Sequence, residues 1–519
     1  MKSEIQFAVN AVKVPRDIDD RVSLYAAQKI GVKPEDIGKV EIINKSVDSR
    51  KSTPVINYKV AAELPEKLQS KYPQYTPKKT DDLIPQGIWQ KSDSPIVIGT
   101  GPAGLFAALY LAMAGAKPLI LDRGLEVAQR VEKHENFLKS RVLDENSNLL
   151  IGEGGAGTFS DGKLYTGTRS PFARLVIEEF IRCGAPSEIG YLSRPHIGSD
   201  KLKEAVPNLR KRIISLGGVF KFNTNVIDII NENGVCRGVV LANGEKITTS
   251  AGVILACGLG GRELIKTLSA NGAGSEVKSF QLGCRIEHPQ EFIDLKQYKI
   301  SRPEALGAAE YHIVSRPSNA LGVSSFCMCP GGKVVNASAW QNHSITNGMS
   351  EFARDGKFAN SCLIATLNLN STAKEIYGMM ENIERELFIR GGKDYAFPCQ
   401  TANDFLCRRA SRGNFEHGCE TGIVPGRIDD LLPKEIYRAL GAALKHFDRL
   451  MPGFIKYGKF IGVESCVSSP IRLLRDENGE NTIKLLFPAG EGPGLAGGIV
   501  SAACDGMRTA ENLIKAVNK

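Results

Sequence analysis

The stretch Ile96-Val-Ile-Gly99-Thr-Gly101-Pro-Ala-Gly104-Leu-Phe-Ala-Ala-Leu109 runs from a short apolar strand through three glycines into an Ala/Leu-rich helix. The first glycine is expected to make a tight turn, the second to let main chain approach a pyrophosphate, and the third to let helix and strand pack closely. The helix N-terminus adds free N–H groups and the positive end of its dipole. This pattern predicts a Rossmann-like nucleotide-binding unit whose phosphate contacts come from Gly99, Gly101, Pro102, Ala103 and Gly104.

A carboxylate, Asp122, lies at the end of the second predicted strand, where a nucleotide-binding unit of this kind uses an acid. The next apolar strand, 118–122, ends in Asp122, which follows Gly104 by 18 residues and is itself followed by Arg123. An acid at this distance binds the ribose hydroxyls of a dinucleotide. A lone three-glycine turn is weak evidence, but together with this acid it favours a nucleotide site over a glycine turn in some other α/β unit.

Two later stretches return to the same site. A meander of strands from 220 to 241 leads to Val253-Ile-Leu-Ala256-Cys-Gly258, which predicts that Val226, Ala256 and Gly258 lie beside the cofactor. Near the C-terminus, Leu485-Leu-Phe-Pro-Ala-Gly490-Glu491 is followed by glycines and a final helix. We expect the acid to contact a ribityl chain and the helix dipole to stabilise an anionic reduced flavin. The predicted contacts here are Gly490, Glu491, Gly497, Gly498 and Ile499.

A glycine-rich loop is expected under the flavin ring. It reads Gly152-Glu-Gly-Gly-Ala-Gly-Thr-Phe-Ser-Asp-Gly162, with five glycines in eleven residues, and contains no cysteine. Glycine main chain can come close to the ring, and the missing cysteine excludes a redox disulfide in this loop. The predicted contacts are Gly154, Gly155, Ala156, Gly157 and Thr158. With the other stretches, this order of parts predicts FAD as the cofactor.

The predicted fold class is α/β, with a discontinuous, Rossmann-like FAD-binding domain of the glutathione-reductase type. We expect a small N-terminal α+β module at 1–70, a linker at 71–93, FAD-binding segments at 94–270 and 455–519, and an inserted α+β substrate domain at 271–454. Whether 166–195 leaves the FAD-binding domain is left open. No second strand–glycine–helix–acid unit occurs in the sequence, so a nicotinamide (NAD(P)H) would dock only transiently as an electron donor.

Composition and charge limit the kinds of partner that the protein is expected to bind. The net charge of +9, from 66 Lys+Arg against 57 Asp+Glu, is mild for 519 residues; it suits an anionic ligand, and we expect no nucleic-acid partner. The N-terminus lacks a signal-peptide core and no apolar run is long enough to span a bilayer, which predicts a cytoplasmic protein without membrane contact. The 12 cysteines show no CxxC spacing, so we expect neither a disulfide scaffold nor a metal site. Oligomeric state is not predicted.

The stretch 152–167, GEGGAGTFSDGKLYTG, makes a resemblance specific. With Pro195-His-Ile-Gly-Ser-Asp200, Arg285-Ile-Glu-His-Pro-Gln290, Phe326-Cys-Met-Cys-Pro-Gly-Gly332, Asn347-Gly-Met-Ser350 and 490–499, it resembles the uncharacterised FAD-dependent proteins often labelled NAD(FAD)-utilising dehydrogenases. The resemblance extends over nearly the whole chain, including the loop at 45–51. It implies the fold and FAD, but no substrate.

Fewer residues are candidates for catalysis than for cofactor binding. Cys327 and Cys329 precede a Pro-Gly-Gly turn and could act at the flavin as acid or redox thiols, or they could be buried core thiols. His196 could donate a proton or cap its loop. Basic residues at 408–417 could hold an anionic substrate or form a solvated helix face.

The predicted function is that of an FAD-dependent oxidoreductase, a dehydrogenase or reductase of a small organic molecule. We expect hydride-type transfer, such as reduction of a C=C or C=N bond. Two alternatives remain open at this point. One is a tRNA-modifying flavoenzyme that grips RNA with its N-terminal module and 408–412, and the other is a non-catalytic FAD-binding scaffold.

Overall fold

The N-terminal module is a small antiparallel sheet with one main helix. The computed structural model of the protein describes residues 2–77, 79–368 and 371–518. Its first elements are β1 (Lys2–Asn10), α1 (Val22–Ile30), β2 (Val40–Asp48), β3 (Val55–Glu63) and α2 (Glu66–Gln69). The strands pair in the order β1-β3-β2, and α1 packs against β1. On β3, alternate residues Ile56, Tyr58 and Val60 are buried, as expected for a strand with one face on a core.

The part that contains the three-glycine turn follows. Its elements are β4 (Ile96–Ile98), α3 (Pro102–Met113), β5 (Leu119–Leu121), α4 (Val127–Ser140), α5 (Phe172–Arg182), α6 (Ser199–Ser215), β6 (Val219–Lys221), β7 (Val226–Glu232), β8 (Val235–Leu241), β9 (Lys246–Thr248), β10 (Val253–Leu255), α7 (Arg262–Ala270) and β11 (Ser275–Val277). Strands β7, β8 and β9 form an antiparallel meander, but Phe220, which was expected to begin it, lies in β6 and pairs with β5 in the parallel sheet. Residue after residue of α3 is buried, because it carries apolar side chains on every face.

The inserted part is built on a larger mixed sheet. Its strands are β12 (Phe280–Pro289), β13 (Val314–Ser315), β14 (Val323–Cys329), β15 (Lys333–Asn336), β16 (Thr346–Met349), β17 (Phe358–Leu367), β18 (Phe397–Thr401), β19 (Ile423–Pro425) and β20 (Lys459–Glu464). Its helices are α8 (Gln290–Tyr298), α9 (Ala373–Arg390), α10 (Ala402–Leu406), α11 (Lys434–Leu450) and α12 (Phe454–Tyr457). Seven strands pair in the order β13-β14-β17-β12-β20-β18-β19, and β15 and β16 form a separate hairpin.

The chain then returns to the first sheet. The last elements are β21 (Ile471–Leu473), β22 (Leu486–Pro488) and α13 (Ile499–Val517). A five-stranded sheet has the order β22-β10-β4-β5-β6 with every pair parallel. This confirms a mixed α/β fold with a parallel sheet. Because the chain order reverses between β4 and β10, a crevice opens at the carboxyl ends of these two strands, where α/β sheets bind their ligands.

One expected boundary differs from the observed pairing. The C-terminal FAD-binding segment was expected from 455, but β20 pairs with β12 and β18 of the inserted sheet, so the inserted part extends at least to Glu464. A short β11–β21 ladder joins the entry and exit of this part. The segment 166–195, whose placement was open, packs with the part that contains the three-glycine turn, since Phe172 and Phe180 of α5 contact Tyr110 and Phe106 of α3.

Candidate functional site

One cavity of about 900 Å³ lies between the parallel sheet and the inserted sheet. The residues predicted to bind the cofactor line it, with the exception of Gly104, Gly154 and Thr158. Of the predicted catalytic residues, Cys327 lines the cavity, whereas Cys329 and His196 do not. We call the main chain at 99–103, 155–157 and 490–499 the cofactor wall. The inserted-domain wall comprises Cys327, Asn347, Glu464 and their neighbours.

The three glycines after β4 have different physical roles. Gly99 has a φ of +96°, and a Cβ there would lie 2.4 Å from the carbonyl oxygen of Ala256. A Cβ on Gly104 would lie 1.9 Å from the Gly99 oxygen, so this glycine is needed for helix–strand packing. A Cβ on Gly101, in contrast, meets no protein atom within 4 Å. The middle glycine therefore keeps space open in the cavity itself.

Asp122, which follows the end of β5, holds this turn in place by hydrogen bonds. Its Oδ2 accepts hydrogen bonds from the main-chain N of Thr100 (2.8 Å) and from Thr100 Oγ1 (2.5 Å), and its Oδ1 accepts one from the N of Gly124 (2.7 Å). A carboxylate has about four lone-pair sites, so it retains capacity for a ligand hydroxyl. The residue predicted to bind ribose thus also orders the three-glycine turn that follows β4.

The glycine-rich loop lies against the three-glycine turn, and the buried Arg130 holds it by hydrogen bonds to its main chain. Gly154 N donates to Thr100 O (2.8 Å), and a Cβ on Gly155 would approach the Cα of Gly101 to 3.2 Å. The buried Arg130 donates to the carbonyl oxygens of Asn148 (2.7 Å) and Gly155 (3.1 Å). Gly154 and Thr158 therefore shape the loop, and Gly155, Ala156 and Gly157 face the cavity.

The C-terminal motif meets the turn from the other side. A Cβ on Gly490 would lie 2.8 Å from the Cβ of Ala103, which places the first and last motifs of the chain in contact. Helix α13 begins after Gly498 (φ +77°), and its first residues line the cavity. Burial raises the pKa of Glu491 to about 7, although the nearby Lys278 opposes this shift. Within the described part of the chain, no hydrogen bond reaches the Glu491 carboxylate.

On the inserted-domain wall, Arg285 organises a buried polar group. Its Nε lies 2.9 Å from Glu464 Oε2, its Nη1 donates to Asn360 Oδ1 (2.7 Å), and it also reaches the carbonyl oxygen of Cys327 (3.4 Å). Burial raises the pKa of Glu464, while the Arg285 guanidinium lowers it. This pair fixes the strand that carries Cys327.

Lys163 brings a second cation, mostly shielded from solvent, to the cavity. Its Nζ lies 2.7 Å from Asp161 Oδ2, and Arg354 also binds Asp161 (Nε–Oδ1 2.9 Å, Nη2–Oδ2 2.6 Å). Burial alone would raise the pKa of Asp161, but Lys163 and Arg354 hold it well below its usual range. Asp161 and Lys163 belong to the glycine-rich stretch but have no role that their sequence pattern predicts, and Arg354 comes from a distant loop without a local sequence signal.

His196 lies behind this cluster and outside the cavity wall. Its Nε2–H donates to Phe352 O (3.1 Å), its ring stacks on Phe352, and a main-chain bridge joins it to Lys163. Burial lowers the pKa of His196 to about 4. It is therefore neutral at pH 7 and, of its two expected roles, fits the structural one.

Two of the basic residues at 408–417 lie close to acidic side chains. Arg409 lies 2.5 Å from Asp404, and Arg408 lies 3.6 Å from Asp429 and over the ring of Tyr437. In the described ranges, no group of three or more His, Cys, Asp or Glu side chains could hold a metal ion. No helix among the described residues is long and apolar enough to cross a membrane.

The fold and the cavity define a class, which comparison with known proteins supports. Residues 279–466 match the family "FAD-dependent protein, C-terminal domain-like", and residues 1–63 match a domain of unknown function (DUF8436). The chain is an FAD-dependent protein of mixed α/β fold. It is 35% identical to an uncharacterized protein of Clostridium beijerinckii over 98% of this chain and 99% of that protein, and it belongs to the same family.

Solved structures give more distant matches. A geranylgeranyl bacteriochlorophyll reductase-like protein from Thermoplasma acidophilum is 15% identical, over 82% of this chain and 79% of that one, with a TM-score of 0.36. A glycerol-3-phosphate dehydrogenase from Bacillus halodurans, complexed with FAD, is 10% identical over 85% and 68% (TM-score 0.37). Glycine oxidase from Geobacillus kaustophilus is 10% identical over 82% and 95% (TM-score 0.36).

Proposed function

We propose that this protein is an FAD-dependent oxidoreductase that transfers two electrons, as a hydride equivalent, between the flavin and a small organic substrate. The observation that carries the proposal is the cavity of about 900 Å³ with glycine main chain on one wall and polar side chains of the inserted domain on the other. A nicotinamide would supply electrons by docking transiently, because the sequence offers no separate domain for it.

The cofactor wall fits a dinucleotide. Open space at the Cβ positions of Gly101, Gly258 and Gly498 leaves main chain accessible from the cavity. First-turn N–H groups of a helix have no partner within the helix, so those of α3 would bind the pyrophosphate and those of α13 the flavin pyrimidine. Asp122 and Arg123 would hold the adenosine half.

Glu491 fits the ribityl chain, because its carboxylate has free acceptor capacity and the cavity supplies the room. Bound FAD supplies the two-electron chemistry; the protein holds it, excludes water and positions the substrate. Lys163, fixed by Asp161, places a positive charge at the end of the cavity where Cys327 lies. A positive charge there would stabilise negative charge that develops during reduction.

The first test is the cofactor itself. The purified protein should be yellow and release FAD rather than FMN on denaturation, at one per chain. Gly101→Val should remove the flavin, because the φ of −67° and ψ of 179° suit valine and its side chain would enter only the cavity. Gly378→Val, at an exposed helix position where a Cβ also meets no atom within 4 Å, is the matched control and should keep its FAD. A Gly101→Val protein that retains one FAD per chain would refute the assignment.

A further inference from the structure

Cys327 stands at an irregularity in β14. The pairing of β14 with β17 shifts by one residue between Phe326 and Cys329, and Cys327 has a φ of +46°, a conformation that non-glycine residues rarely adopt. Bulges of this kind re-aim side chains beside active sites. Here the bulge places Cys327 on the cavity wall and Cys329 directly behind it, fully buried.

The two cysteines are close enough to react with each other. Two Cα atoms separated by one residue lie at most about 7 Å apart in extended chain, and a disulfide needs about 4.4–6.8 Å. The bend at Cys327 takes the chain out of the extended form. The Cys329 Sγ lies 3.3 Å from the carbonyl oxygen of Cys327, so the second thiol is turned toward the first residue.

Their electrostatic surroundings differ. A hydrogen bond from the Cys329 thiol, with Lys163 and Arg285 nearby, outweighs burial and lowers the pKa of Cys327 below its ordinary value. The same hydrogen bond and burial raise the pKa of Cys329. Burial raises the pKa of Cys466, on the same cavity, to about 11. The pair thus combines a more acidic thiol with a less acidic one, and thiol–disulfide exchange uses such a combination.

We propose that Cys327 and Cys329 form a redox-active dithiol that exchanges two electrons with the flavin and reduces a small disulfide. This rests on the proposed function and narrows its substrate class, replacing the C=C or C=N bond expected from the sequence. The Cys327 thiolate attacks one sulfur of the substrate; the substrate S–S bond breaks, and a first thiolate leaves. Cys329 then loses its proton to solvent and attacks the Cys327 sulfur, releasing the second thiolate and forming the Cys327–Cys329 disulfide.

The cycle closes with electrons that the proposed function already supplies. The Cys327–Cys329 disulfide accepts two electrons and one proton from the reduced flavin, which restores the Cys327 thiolate and the Cys329 thiol. The electrons come from a nicotinamide hydride. In sum, one nicotinamide hydride and one proton convert one disulfide into two thiols. Phe326 and His312 line the cavity beside Cys327 and are exposed, so the substrate enters on that side.

The decisive experiment counts electrons in the holoprotein. After oxidation with glutathione disulfide, anaerobic dithionite titration of the wild type should consume four electrons per FAD, two for the flavin and two for the disulfide. Cys327→Ser, which removes the attacking thiol, should consume two, and the control Cys407→Ser, which changes an exposed cysteine, should still consume four. Uptake of only two electrons by wild type that carries one FAD per chain overturns the dithiol.

A second measurement needs no variant and no flavin. Mass spectrometry of the oxidised protein should find the peptide containing Cys327 and Cys329 lighter by two hydrogens, and iodoacetamide should label Cys327 in the reduced protein at pH 6. If the protein binds no FAD but this disulfide forms, the proposed function is wrong, while the redox activity of the cysteine pair is supported. If FAD is bound and neither cysteine is oxidised or labelled, the dithiol fails and the proposed function stands.

Discussion

The cofactor wall consists of main chain, whereas the inserted-domain wall consists of charged and nucleophilic side chains. Gly99, Gly101 and Gly490 contribute space and N–H groups, and each comes from a turn between a parallel strand and the next element. Cys327 and Glu464 come from antiparallel strands far apart in sequence. A substitution on the first wall should therefore change whether a ligand fits, and a substitution on the second should change charge balance or chemistry.

The largest effect is expected at Arg285, on the inserted-domain wall. Arg285→Met leaves the Glu464 carboxylate buried without its partner, and breaking such a pair costs about 3–5 kcal/mol of unfolding free energy. Arg472→Met is the matched control, because its ion pair with Glu276 is about half exposed and should be worth less than about 1 kcal/mol. Urea unfolding of both variants measures the difference. Equal losses would mean that the buried pair does not support this wall.

A pH effect is expected at Glu491, on the cofactor wall. Burial raises its folded-state pKa to about 7 from 4.5, so the folded protein binds the proton more tightly than the unfolded chain. The resulting stability is fully present below pH 4.5 and is lost as the pH rises through 7, up to about 3 kcal/mol. With FAD removed, wild type should lose more stability than Glu491→Gln between pH 5 and pH 8. Parallel pH profiles for the two proteins would contradict this burial.

The smallest effect is expected at His196, which lies behind both walls. His196→Asn removes one hydrogen bond to Phe352 O and should cost about 1 kcal/mol of unfolding free energy. Because burial lowers the pKa of His196 to about 4, the variant should keep its FAD and the wild-type pH dependence between pH 6 and pH 9. Loss of an ionisation near neutrality in the variant would return His196 to the catalytic candidates.

The two walls also differ in what sequence could predict. The cofactor wall is encoded locally, since a strand, a glycine turn, a helix and an acid at 18 residues follow each other along the chain. The inserted-domain wall depends on pairing between β12, β14, β17 and β20, whose partners lie up to about 180 residues apart. No local sequence pattern predicts that Arg354 will pair with Asp161, or that Glu464 will pair with Arg285.

The same contrast between local and long-range signals explains which details of the site sequence could not predict. Asp122 was predicted from its spacing, but its bonds to Thr100 and Gly124 depend on the exact turn geometry. Cys327 and Cys329 were noticed because of the Pro-Gly-Gly that follows, yet the bulge that separates their environments is visible only in the paired sheet. The boundary at 454 was wrong because β20 has no local signal for the sheet it joins.

The most direct test is a crystal structure of the protein with FAD bound. The account predicts one FAD along the cavity, its pyrophosphate at the first turn of α3, its pyrimidine edge at the first turn of α13, and its ring system facing the sulfur of Cys327. A dinucleotide that lies elsewhere, or a flavin ring turned away from the inserted-domain wall, would contradict the account.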